Sequence, residues 1–83
     1  MNNYKNIVYL KPDTSAIAIL MAENELDCKK LAELSNVGIS IIYSLRRGCL
    51  TKPIHIGKIA KALNCNVKDI IVTAPELQTT EGI

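Results

Sequence analysis

The sequence has no tryptophan and no phenylalanine, and its only aromatic side chains are three tyrosines. A core for this 83-residue chain must therefore come from Leu, Ile, Val, Ala and Met, which favours helices packed at close range. Cysteine is scarce and odd in number. Cys28, Cys49 and Cys65 stand far apart, with no CxxC spacing among them and no second histidine to pair with His55. That excludes a secreted disulfide framework and a zinc site, leaving buried or partly buried thiols and no metal or other cofactor. No apolar run approaches the roughly 18 residues that span a bilayer, and residues 1–5 lack the layout of a signal peptide. A cytoplasmic protein without a membrane partner is expected.

Acidic residues are missing from one half of the chain. Between Leu34 and Lys68 there is none, while Arg46, Arg47, Lys52, Lys58, Lys61 and Lys68 all fall there. The formal net charge is only +2, so the distribution carries the information. Two readings fit it: a surface for a polyanion, or a solvated helical face. At this length there is room for one domain with one core, and 48% apolar residues suffice to build it. Such a domain is too small to enclose a catalytic pocket. No carboxylate pair, Cys–His arrangement or phosphate-cradling glycine loop is present either, so an enzyme is not expected.

Residues 6–11 are short and β-prone, and Pro12 stops them. Asp13 or Thr14 then offers a cap for a first helix over 15–24, with Ile17, Leu20 and Met21 facing inward. Ile19 falls off that stripe, so a second face of this helix needs cover. Asp27 caps a second helix over 28–34, with Leu31 and Leu34 inward. Asn36 tolerates the left-handed backbone of a tight turn. A third helix runs over 39–46 on Ile42 and Leu45 and ends at Gly48. Pro53 opens a fourth over 53–63, built on Ile56, Ile59, Ala60 and Leu63, with Asn64 at its left-handed end. Asn66 caps a final short turn over 67–71. The β-prone ends, 6–11 and 70–73, are expected to pair as a small two-stranded antiparallel sheet that shields Ile19. The organisation is an arm or strand (1–12), a helical domain (13–71) and a strand or tail (72–83).

Two short helices joined by three residues cross steeply. They need a small residue at the crossing, a left-handed residue in the turn and apolar anchors on both sides. Ala32, Asn36, and the set Leu31, Val37, Ile42 and Leu45 stand in those places. The segment Lys30-Leu-Ala-Glu-Leu-Ser-Asn-Val-Gly-Ile-Ser40 resembles the second helix and turn of the lambda-repressor/Cro family of helix-turn-helix domains. Leu45-Arg-Arg-Gly48 resembles that family's helix-ending Ile-Glu-Arg-Gly. Lys58-Ile-Ala-Lys-Ala-Leu63 with Asn64-Cys-Asn-Val-Lys-Asp-Ile-Ile71 resembles its fourth and fifth helices. The likeness covers residues 26–71.

The resemblance implies an all-α, compact five-helix domain that binds double-stranded operator DNA as a homodimer and regulates transcription, as a repressor. It implies that the third helix enters the major groove, presenting Gly38, Ile39, Ser40, Tyr43 and Ser44 to base edges. It places phosphate contacts at Cys28, Arg47, Thr51 and Lys52. The sequence also departs from the family. Ile39 stands where Gln is frequent, so it packs either on a thymine methyl or on a neighbouring side chain. Gly38 replaces the usual Ser or Thr cap. Met21 and Arg46 occupy positions where many members join Arg to Glu, so Arg46 is free for phosphate or for solvent. Tyr43 either meets the DNA backbone or lies half-buried on the second helix. His55 reads as a surface or cap residue. An alternative keeps the fold and changes the partner: an antitoxin, or another helix-turn-helix protein whose main partner is a protein.

Overall fold

The computed structural model describes residues 8–73. They form four α-helices, α1 (Thr14–Glu23), α2 (Cys28–Ser35), α3 (Ile39–Arg46) and α4 (Pro53–Ala62), followed by one 3₁₀ turn, Val67–Ile70. α2 packs on both α3 and α4, while α1 lies against α3 and the 3₁₀ turn, which also meets α4. The core is aliphatic apart from Met21. Ile17, Leu31, Ile42, Leu45, Ile56, Ile59 and Ile70 are fully buried in one cluster with Val37, Ala60 and Leu63. Each of these side chains contributes about 1.5–3 kcal/mol on leaving water, if it is as large as Val or Leu.

The helix ends follow from local chemistry. The Asp13 carboxylate accepts from the Ala16 N–H, and the Asp27 carboxylate from the Lys30 N–H, which satisfies orphan donors at the starts of α1 and α2. Asn36, Asn64 and Gly48 all adopt positive φ, as their places at helix ends demand. Glu25, at φ 57°, is a left-handed residue that composition does not announce. It lets the Leu26 N–H return to the Met21 carbonyl at 2.9 Å and closes α1.

Three expectations need correction. The fifth helix implied by the resemblance is a four-residue 3₁₀ turn, in which the Asp69 N–H returns to the Asn66 carbonyl at 2.9 Å while the Asp69 carboxylate accepts from the Asn66 N–H at 3.0 Å. Leu34 is 63% exposed. The inward row of α2 runs from Leu31 to Ser35, four residues on, and the Ser35 hydroxyl donates to the Leu31 carbonyl at 2.6 Å. The terminal sheet is also absent among the described residues, where only two isolated bridges occur, Leu10 with Thr51 and Pro12 with Ile71. Pro12 has no N–H to extend a ladder. The arm instead lies between two segments: Leu10 pairs with Thr51 on one side, and the Lys11 carbonyl accepts from the Val72 N–H on the other. Ile19 is left 58% exposed. Residues 6 and 7 of the expected strand lie outside the described residues.

Candidate nucleic-acid interface

α2, the turn and α3 form one unit whose geometry is set at three residues. Asn36 turns the chain in the left-handed region (φ 58°, ψ 41°). Val37 buries its side chain next to it, and its N–H reaches back to the Ala32 carbonyl at 3.2 Å. Gly38 is the N-cap of α3, with no side chain to accept from the first turn. The helix is held from beneath by Ile42 and Leu45, both fully buried.

With those two residues fixed inward, the other side of α3 faces solvent. Gly38 and Ser40 are exposed, Ile39 and Tyr43 are 38% and 50% exposed, and Ser44 is half-buried. All five residues expected to meet bases are thus at or near one accessible surface at the start and middle of α3. Arg47, exposed just past the helix, lays its Nη2 at 3.5 Å from the Ser44 hydroxyl. Lys52 is exposed at the start of α4. A basic residue therefore stands at each of two points beyond the end of α3. The lysines Lys58, Lys61 and Lys68 are exposed as well, on α4 and the 3₁₀ turn rather than on α3.

The remaining expected phosphate contacts sit differently. Thr51 is only 5% exposed, and its hydroxyl donates to the Cys49 carbonyl at 2.9 Å. Its backbone N–H and carbonyl are both taken by Leu10, at 2.9 Å each. These bonds commit its groups to holding the arm. Arg46 is half-buried and turned back across the helices. Its Nη1 lies 3.4 Å from Met21 Sδ and 3.6 Å from Cys28 Sγ, while its Nε is buried with no hydrogen-bond partner among the described residues. The positions often joined by an ion pair in the resembling family thus stay in contact here through sulfur, a weak acceptor. Cys28, half-buried in the first turn of α2, is brought beside this guanidinium.

Two features of this surface were missed in the sequence. Lys11 reaches over to donate from Nζ to the Gly48 carbonyl at 2.9 Å, a cation on the chain just past the C-terminus of α3. The arm also brings Tyr9 into the lining of one cleft with Ser40 and Ser44. Neither was legible, because both depend on where the chain before α1 runs in space.

A family model for the Cro/C1-type helix-turn-helix DNA-binding domain matches residues 16–76. The chain belongs to this family. In a Cro/C1-type domain α2 and α3 are the helix-turn-helix, and the Asn36 turn and the buried Val37 are its internal supports. No curated protein and no solved structure matches the chain. Among the described residues, no helix is long and apolar enough to cross a membrane.

Proposed function

We propose that this domain is a sequence-specific transcriptional regulator that lays α3 in the major groove of operator DNA. The observation that carries the reading is the accessible face Gly38–Ile39–Ser40–Tyr43–Ser44, bordered by the exposed cations Arg47 and Lys52. A helix fits the major groove, where each base pair has its own pattern of donors, acceptors and methyl groups. Ser40 and Ser44 supply hydroxyls that both donate and accept, and Ile39 supplies an apolar surface for a thymine methyl. Arg47 and Lys52 hold the register through phosphates. Arg46, lying across Cys28, adds positive charge at the start of α2. Repression requires only occupancy of an operator, which a domain of this kind supplies in the cytoplasm without a further activity.

The test separates positioning from reading. Arg47→Ala and Lys52→Ala should weaken binding to every duplex alike and reduce the salt slope by about 0.9 for each phosphate no longer neutralised. Ser40→Ala and Ser44→Ala should shift base preference at one or two positions, at about 1–3 kcal/mol per base pair read, with the salt slope held. Ile39→Ala should cost most on sites with a thymine opposite it. The readout is selection from a random duplex pool followed by titration at several salt concentrations. If all five folded variants bind DNA as the parent does, the groove-reading assignment is wrong, and the first partner to seek is a protein.

A further inference from the structure

The chain before α1 is fixed against the segment after α3 at two levels. Leu10 and Thr51 exchange both backbone hydrogen bonds at 2.9 Å, and Lys11 Nζ holds the Gly48 carbonyl at 2.9 Å. The residue next to this clamp is Tyr9, half-buried in the lining of a cleft of about 370 Å³. Ser40 and Ser44 of α3 line the same cleft with Lys52 and His55, and Ile41 and Leu50 contribute apolar surface. The lining therefore combines an aromatic ring, aliphatic side chains, hydroxyls, an ammonium and an imidazole.

That mixture suits a deoxyribose joined to a phosphate. The sugar has an apolar face for the ring and Leu50, and the phosphate oxygens accept from hydroxyl, ammonium and imidazole N–H donors. Two of the lining residues, Ser40 and Ser44, are on the face assigned above to base reading. Any duplex seated on α3 therefore passes the mouth of this cleft.

We propose that Tyr9 is a DNA-contacting residue, its ring packed on a deoxyribose and its hydroxyl donating to the adjoining phosphate, beside the one that Lys52 neutralises. The inference rests on the reading that α3 faces duplex DNA. It extends the interface from the helix-turn-helix to the arm, and it gives the Leu10–Thr51 clamp a purpose: holding Tyr9 at a fixed height above α3.

A neutral hydroxyl releases no counterion, so its removal has a signature different from the removal of a lysine. The full chain, its Tyr9→Phe, Tyr9→Ala and Lys52→Ala variants, and a duplex selected from a random pool are the materials. A non-specific duplex serves as a second probe. Tyr9→Phe keeps the ring and should melt as the parent does. It should bind both duplexes about two- to tenfold more weakly, the range for one net hydrogen bond, with an unchanged salt slope. Tyr9→Ala should bind more weakly still, and hydroxyl-radical footprinting should show one or two sugars newly open to cleavage. Lys52→Ala should lower the slope. If both Tyr9 variants keep parental affinity and footprint while Lys52→Ala lowers the slope, the Tyr9 contact is overturned and the α3 reading stands. Weaker binding by Tyr9→Ala alone, with an unchanged footprint, also overturns it, since the ring would then serve only packing. A parent chain with no salt-dependent affinity for either duplex removes the α3 reading itself.

Discussion

Cys65 is held half-buried between the end of α4 and the 3₁₀ turn. Burial, and then the nearby Asp69 carboxylate, push its thiol above the ordinary range. The unfolded chain releases this proton at about pH 8.5, whereas the folded chain keeps it to higher pH. Between those two values the folded state binds more protons, so stability falls as pH rises. The contribution is full below about pH 8.5 and disappears as pH climbs through the folded value. Urea midpoints should accordingly drop on the alkaline side, and Cys65→Ala should remove part of that drop. Parallel pH profiles for parent and variant would exclude the assignment. Arg46 teaches a different lesson at the same scale. The sequence shows that Met21 and Arg46 replace an ion pair, but the direction of a long side chain depends on Met21 and Cys28, which come from two other helices. Residue pattern alone did not distinguish a guanidinium facing solvent from one folded back on two sulfurs.

Among the elements, α3 has the plainest defect: its N-cap is a glycine with no side-chain bond to the first turn. The backbone there, φ −58° and ψ 145°, suits any residue, and a Cβ would meet nothing within 4 Å. Gly38→Ser should therefore stabilise the domain by about 0.5–1 kcal/mol, through a capping bond and a less flexible unfolded chain. Chemical denaturation measures this directly, and an unchanged or lower midpoint would contradict it. The limits of α3 were legible because Gly38, the Ile42–Leu45 pair and Gly48 all mark it locally. Leu34 was misread because α2 has only eight residues, too few for spacing alone to separate a buried i+3 position from a buried i+4 position. The arm was misread for a similar reason. Its β-prone composition was visible, but its partner at Leu10 is Thr51, from the middle of the chain, and Pro12 limits the pairing with Ile71 to one bridge. Of the candidate interface, the buried Ile42–Leu45 pair of α3 was readable from spacing and the outward set came from the family resemblance, whereas Thr51, Tyr9 and Lys11 took their places from that arm.

At the scale of the molecule, one small module reads a short stretch of DNA, and a two-fold pair would set two α3 helices about one helical turn apart. We expect a homodimer, joined through the region of residues 64–71, where Asn64, Asn66, Lys68 and Asp69 are exposed. Sedimentation at micromolar concentration should give twice the monomer mass. A monomer that also binds DNA with single-site stoichiometry would count against it. The fold class was legible at this scale, since the family's spacing of caps, turn and anchors spans most of the chain. One feature acts on the molecule as a mechanical object. The Pro12–Ile71 bridge is antiparallel, so both described ends leave the domain in the same direction, side by side. Tension drawn through the two ends would load the Lys11–Val72 and then the Asp13–Ile70 hydrogen bond, like a zip, rather than both together in shear. The pull on the arm also crosses the Leu10–Thr51 clamp before it reaches any helix, so Tyr9 would leave α3 while the helical core was still intact.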